Sequence, residues 1–427
     1  MPADGSARPG EPTSIWREPA FPRYWTAATI SSFGTAVTAV ALPVLIVEVL
    51  GASPVELGVV NAAQFVPYAV LGVFAGVLVD RWRRKPVLVW ASLGRALSLG
   101  FVPVLWLLGG LHMWVLACLL VLFGACNVFG FAATQSLLPT VVNRPRLLAA
   151  NAALDQSDAA AQTAGPALGG LLTGLLGAPI ALAVDAVSYV LDAVLIGTLR
   201  VVEPIRAAPA RRHLRREIGE GLHWAYRHRV LGPLAVSAHL WFVGNAAAVT
   251  VLSLVALRGL GLSAVGFGLG LAIAGLAMLL GASLAARAGR RFGQGGVVTL
   301  ARAGYPIAWT VIALLPTASG VAAPGTVVLL YVALALHGFV GGLENANEMS
   351  YRQAVSPDRL LGRVNATMRA ANRTAGAVGA LAGGALAAAA GTRVALLVAV
   401  GLFVAAFLVA ALSPVRGARD DDQPVEQ

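Results

Sequence analysis

Carboxylates and amides stand inside otherwise apolar stretches of this chain, at spacings that select one side of a helix. Asn151, Asp155, Asp158 and Gln162 fall at offsets 0, 4, 7 and 11. At about 100° per residue they lie within about 60° of one another. His337, Glu344 and Glu348 repeat the pattern at offsets 0, 7 and 11. Ionisable groups at membrane depth are costly and mark pathways for protons or substrates. Lining a water-filled cavity, these acids would bind protons or the cationic group of a ligand. As ion pairs near helix ends they would instead hold the helices together. Asp158 and Glu344, the deeper pair, point to function. Asp155 and Glu348 fit both roles, and His337 is either a proton carrier or a packed polar residue. Asn61 and Gln64, with Asn245 and Trp241, are further candidates for the cavity wall.

Other chemistries are excluded. Lys85 is the only lysine and is followed by Pro86, so there is no G-K-[ST] phosphate loop. No C-x-x-C or H-E-x-x-H is present, so neither a metal site nor a cofactor is expected. Cys118 and Cys126 lie in one apolar run, about 12 Å apart if it is helical, too far for a disulfide.

The elements that carry these residues follow from composition. Of 427 residues, 58% are hydrophobic and 12% charged, about half the charged share of a soluble domain. Mean hydropathy is +0.76. A soluble enzyme is not expected. Apolar stretches long enough to cross a bilayer as helices lie near 24–50, 55–79, 87–108, 113–138, 149–176 and 178–199. A second set lies near 231–256, 264–286, 297–316, 326–350, 362–390 and 393–412. Short turns at Gly177–Ala178 and Gly391–Thr392 make hairpins of the fifth and sixth and of the last two spans. The organisation is a polar tail (1–22), a six-span half (23–199), a linker (200–230), a second half (231–412) and a tail (413–427). In the linker, Leu214, Ile218 and Leu222 recur every four residues among charges. That predicts an amphipathic helix lying on the membrane or on the ends of the bundle.

The net charge of +11 is distributed by side. Twenty-five of the 31 Lys and Arg fall in loops and tails on one side, Arg258 and Arg393 fall on the other, and Arg95, Arg302, Arg369 and Arg373 lie within spans. The positive-inside rule puts the basic side and both termini in the cytosol. Anionic lipid is then the partner of the excess charge, and nucleic acid is not.

The halves resemble each other. Shifted by 207, Leu93-Gly94-Arg95-Ala96 falls on Leu300-Ala301-Arg302-Ala303. Shifted by 214, Asn151-Ala152 falls on Asn365-Ala366, and Gly165 and Gly169-Gly170 fall on Gly379 and Gly383-Gly384. The face carrying Asp155 and Asp158 corresponds to one carrying Arg369 and Asn372, with Arg373 beside it. Same-topology halves about a pseudo-two-fold axis are a secondary-transporter architecture.

Between the second and third spans the chain reads Gly76-Val77-Leu78-Val79-Asp80-Arg81-Trp82-Arg83-Arg84-Lys85-Pro86. This resembles the major facilitator superfamily signature G-x-L-x-D-R-x-G-R-[RK], with Arg83 in place of the glycine. The resemblance implies a conformational latch of Asp80, Arg81 and Arg84, with Arg363 at the start of the eleventh span as the expected partner of Asp80. Gly165-Pro166-Ala167-Leu168-Gly169-Gly170 resembles the superfamily's antiporter signature, although Ala152 and Ala161 replace its upstream glycines. The fourth span lacks the family's proton-linked arginine. Gln135-Ser136-Leu137-Leu138-Pro139 and Leu147-Leu148-Ala149-Ala150-Asn151, with the linker, resemble the enterobactin-exporter and macrolide-efflux branch.

What the resemblance implies is an all-α integral membrane protein with twelve transmembrane helices in two pseudo-symmetric six-helix halves. It would be a monomer exporting a hydrophobic drug-like or siderophore-like small molecule, coupled to protons by alternating access. An uptake permease and a non-transporting receptor or scaffold remain the alternatives. Asp185 and Asp192, on the usually peripheral sixth helix, are assigned a structural role. The Ala/Arg/Gly-rich composition suggests a GC-rich genome and a bacterial plasma membrane.

Overall fold

The computed structural model describes residues 14–201, 203, 214–317 and 322–419. Much of both tails and the centre of the linker therefore lie outside the described residues. The first half comprises α1 (Phe21–Val44), α2 (Pro54–Ala63), α3 (Val66–Arg81), α4 (Arg84–Leu107), α5 (Met113–Val141), α6 (Leu147–Leu176) and α7 (Ala178–Gly197). The linker contributes α8 (Leu214–Arg227). The second half comprises α9 (Leu231–Ser253), α10 (Ala264–Phe292), α11 (Gln294–Leu314), α12 (Pro324–Val355), α13 (Asp358–Ala390) and α14 (Thr392–Ala411). With α2 and α3 counted as one broken span and α8 set aside, twelve helices cross the membrane.

Ten spans are long and apolar enough to be recognised by hydropathy alone. The exceptions are α6 and α13, the fifth and eleventh spans, because these carry the polar faces. The second span, expected to be continuous over 55–79, breaks at Gln64–Phe65. Pro67 has no amide hydrogen to continue the helical ladder. The chain instead turns tightly there, with Phe65 N donating to Ala62 O at 2.9 Å and Tyr68 N to Phe65 O at 3.0 Å. α2 opens on a capping box, in which Ser53 N donates to Glu56 Oε2 at 2.8 Å and Glu56 N to Ser53 Oγ at 3.3 Å. The expected hairpin turns form at Gly177 (φ 84°) and Gly391 (φ 88°), backbone conformations that need glycine.

Both described chain ends lie at the same end of the bundle as the basic loops. Glu18 pairs with Arg146, and Gly295 N donates to Ala418 O at 3.0 Å. We call this end the basic face and the opposite end the far face. At the basic face α8 packs against α9 and α13, where Trp224 and Ala225 meet Ala235, Leu360, Val364 and Met368. Arg363 pairs with Glu220. The amphipathic linker helix thus covers the end of the second half.

The halves meet through small residues. Gly165 and Gly169 of α6 lie against Ala36 and Val37 of α1, while Gly170 lies against Ala264 and Gly268 of α10. At the equivalent positions of α13, Gly379 and Gly383 lie against Val243 and Ala247 of α9, and Gly384 lies against Pro54 and Gly58 of α2. The antiporter-like motif is therefore a packing seam, used twice about the pseudo-two-fold axis. α1 and α9 each end in a π-helical turn, Leu45–Val49 and Leu254–Gly259. Arg258 links them by donating to Val47 O at 2.8 Å. Around this seam lies the largest apolar core, which includes Leu45, Ile46, Leu57, Val251, Leu254 and Leu257. The far face is closed.

A Cβ on Gly384 would stand 2.4 Å from the Pro54 carbonyl oxygen, a backbone atom that cannot swing aside. Gly384→Val is expected to cost the closed far face about 1–3 kcal/mol, a population shift of roughly five- to 150-fold. The check is labelling of Ala39→Cys, in a background with Cys118 and Cys126 replaced by Ser, by an impermeant thiol reagent added at the far face. Labelling should rise with Gly384→Val, and unchanged labelling would contradict the seam.

Candidate functional site

Below the seam the helices separate around a cavity of about 1380 Å³. It extends from Tyr24, Leu147 and Arg352, near the basic face, to Ala39, Pro166, Trp241 and Leu271 about halfway along the spans. A smaller space of about 200 Å³ continues it between α6 and α10 beside Asp155 and Asp158. The first half contributes these two acids to the wall, and the second contributes Arg352 and Arg369. The cavity is thus polarised from one half to the other.

The most deeply buried charges in the second half form one cluster. Arg302 of α11 is 1% exposed. Its Nη2 lies 2.7 Å from Glu344 Oε1 and 3.0 Å from Glu348 Oε2, and its Nη1 donates to Ser237 Oγ at 2.5 Å. Glu344 and Glu348 are one turn apart on α12, so both carboxylates reach the same guanidinium. Aromatic side chains enclose the cluster. Tyr305 stacks on Phe403 with 5.6 Å between ring centres and meets His337 edge-on at 5.2 Å. Arg302, Glu344 and Glu348 all line the cavity. Two acids face one base, so the fully ionised cluster carries a net charge of −1 in a medium that penalises it. One proton removes that charge.

Arg95, at the position equivalent to Arg302, has a different setting. Its Nη2 donates to Ser92 Oγ at 2.9 Å and lies 3.9 Å from Asp192 Oδ2 on α7. Its guanidinium stands 4.3 Å above the Tyr189 ring. In the second half two acids come from the tenth span, and in the first half one acid, Asp192, comes from the sixth.

This geometry belongs to a known fold. The sequence matches the family described as transmembrane secretion effector over residues 11–427. The chain belongs to this major facilitator family. Among its relatives is the multidrug efflux pump Tap of Mycolicibacterium fortuitum, 31% identical over 219 residues, 49% of this chain and 53% of that one. The chain thus spans about half the length of the first curated relatives it matches. The enterobactin exporter EntS of Escherichia coli O1:K1 / APEC is 26% identical over 377 residues, 85% of this chain and 84% of that one. Among solved structures, the nucleoside transporter NupG superposes with a TM-score of 0.74 at 11% identity, covering 92% of this chain and 98% of that one. A bacterial homologue of the iron transporter ferroportin in its inward-facing state gives 0.69 at 16% identity, covering 94% and 99%. These two structural likenesses carry the fold alone.

Within this family fold the residues singled out by sequence divide into several groups. Asn151, Asp155, Asp158, Gln162, His337, Glu344, Glu348, Arg369 and Asn372 line the cavity. Asp158 accepts a hydrogen bond from Ser32 at 2.5 Å. Arg369 sits 4.0 Å over the Phe131 ring. Asn372 Oδ1 lies 2.7 Å from His239 Nδ1, and His239 Nε2 lies 2.5 Å from the Tyr226 hydroxyl of α8. Three expected wall residues lie elsewhere. Asn61 donates across the halves to Thr250 at 3.2 Å. The Gln64 carbonyl oxygen lies where a Cβ on Gly124 of α5 would stand, 2.6 Å away. Asn245 is half-buried off the lining. The break before Pro67 ends α2 at this level, which explains Gln64. His337 accepts from Trp309 Nε1 at 3.1 Å through Nδ1 and also lies on the cavity wall.

The latch divides as well. The side chains of Asp80 and Arg81 lie outside the described residues, and Arg363 reaches Glu220. Glu203 accepts from Arg84 N at 2.6 Å and Lys85 N at 2.9 Å, so an acid from the linker caps α4. Glu203, Arg302 as the partner of the acids, and the aromatic shell were not identified from sequence. The signal for Arg302 was its place within a span in register with Arg95.

Because Arg302 balances two buried acids, Arg302→Met should destabilise the protein by about 3–5 kcal/mol. Adding Glu344→Gln and Glu348→Gln to it should recover most of that loss by removing the unpaired charges. Thermal unfolding of the purified variants checks both. Equal instability of the single and triple variants would show that packing, not charge, dominates.

Proposed function

We propose that the protein exports a hydrophobic drug-like or siderophore-like small molecule in exchange for protons, by alternating access. The observation that carries the reading is the Arg302–Glu344–Glu348 cluster, a buried group with one acid in excess on the wall of a cavity open at one end. Such a cluster is neutral with one proton bound and charged without it. Opening to water on alternate sides therefore changes its occupancy. The efflux pump and exporter among the relatives support the outward direction. The positive-inside rule makes the basic face cytosolic, and the conformation is then inward-open. On the opposite wall, Asp155 and Asp158 supply negative charge for a cationic group of the substrate, while the apolar remainder of the cavity accepts its body. The plasma membrane is the setting, and protons are the coupling ion.

Each coupled proton sustains about a tenfold concentration ratio per pH unit. Ethidium and enterobactin serve as probes in inverted vesicles energised by a pH gradient. Glu344→Gln is expected to cut uphill accumulation by about tenfold or more per pH unit while downhill exchange persists. Asp158→Asn should weaken ethidium binding and leave coupling intact. Normal uphill accumulation of either probe by the Glu344→Gln, Glu348→Gln double variant would remove the cluster from the coupling mechanism.

A further inference from the structure

The buried acids of α7 have no part in the reading above. Asp185 is fully buried, and its carboxylate accepts from Thr38 Oγ1 at 2.5 Å and Ser188 Oγ at 3.0 Å. Asp192, two turns nearer the basic face, is 6% exposed and lines the cavity. Ser92 donates to it through its hydroxyl. The helices packed against this part of α7 are chiefly α1 and α4. Among the described residues, the ionisable groups facing Asp192 are Arg95 on α4, Tyr24 on α1 and Tyr189 on its own helix. Tyr189 lies within hydrogen-bond distance of Thr35 Oγ1, at 2.8 Å.

We propose that Asp192 is a second proton-binding carboxyl, in the first half and separate from the Arg302 cluster. The inference rests on the proton-coupling reading and extends it to the other wall of the cavity. Among the described residues one carboxylate, that of Asp192, lies within ion-pair distance of Arg95, against two at Arg302, while the Asp185 carboxylate is held by Thr38 and Ser188. The ion pair is looser. Arg95 approaches Asp192 no closer than 3.9 Å and directs its hydrogen bond to Ser92 instead. The Ser92 hydroxyl stands between the two charges, accepting from one and donating to the other. Asp192 also has what Asp185 lacks, a position on the wall of the water-open cavity. The proton comes from cavity water onto the Asp192 carboxylate, leaves Arg95 charged beside a neutral acid, and returns to water when the cavity opens on the other side. A purely structural pair would keep Asp192 ionised throughout. If both sites discharge in each cycle, two protons accompany each substrate, and the sustainable ratio per pH unit rises from about tenfold to about a hundredfold.

Infrared difference spectroscopy on the full-length protein in lipid vesicles, between alkaline and acidic buffer, tests this without a known substrate. The readout is the carbonyl band of buried protonated carboxyls. The wild type is expected to show two titrating components. Asp192→Asn removes one, and the Glu344→Gln, Glu348→Gln double variant removes the other. Ser92→Ala keeps the Asp192 carboxyl but deletes its hydroxyl partner, so the corresponding component should change frequency. That variant decides the matter if Asp192→Asn fails to fold. Asp192→Asn spectra identical to wild type, or loss of all titrating intensity in the double variant, would overturn the second site and leave the Arg302 cluster standing. Loss of all intensity in Asp192→Asn alone would support Asp192 and exclude the cluster. A wild type without a titrating buried carboxyl would exclude both.

Discussion

The architecture depends on how closely helix backbones approach one another at the far face. Lipid is as apolar as the side chains it replaces, so hydrophobic burial gives transmembrane helices little reason to associate. Close packing at small residues supplies the attraction instead. Gly170 against Gly268 and Gly384 against Gly58 bring α6 to α10 and α13 to α2, and both contacts cross between the halves. With this seam formed, the helices separate only toward the basic face. The cavity, its depth and the water that reaches its polar walls all follow from that asymmetry.

Within the cavity the protein tolerates charges that its surroundings disfavour. Arg302 and Glu344 are each less than a tenth exposed. A one-to-one buried pair could be a stable structural element. A base between two acids cannot become neutral without a proton, so its electrostatic energy depends on whether one is bound. Around Arg95 the pairing is instead one to one, with Asp192, and looser. The two arginines occupy equivalent positions in the repeat, yet their acids come from different helices. The halves therefore share a backbone plan and differ in which helix supplies the acids that face the arginine.

The linker and the signature loop show the same economy of contacts at the basic face. Glu203 holds the start of α4 by accepting two backbone hydrogens, and Glu220 holds Arg363 at the start of α13. Through Tyr226, His239 and Asn372, α8 is also connected to a cavity wall. The segment between the halves is thus bound to the ends of the helices that line the cavity.

Local pattern determined much of this in advance. Apolar length specifies spans, charge distribution separates the two ends, and helical periodicity aligns Asp155 with Asp158 and Glu344 with Glu348. The repeat register pairs Arg95 with Arg302 and Gly170 with Gly384. All of these are properties of one helix, or of a comparison between two stretches of sequence. Partnerships between helices were decided by the fold alone. Nothing in sequence spacing places Arg302 between acids 42 and 46 residues away, or sends Asn61 to Thr250 instead of the cavity. Nor does it show that Asp192, on a helix expected to be peripheral, reaches the cavity wall. Periodicity tells which residues share a face. Which face meets another helix, which meets lipid and which meets water depends on the rotation and tilt of each helix, and those are set by the packing of all twelve together.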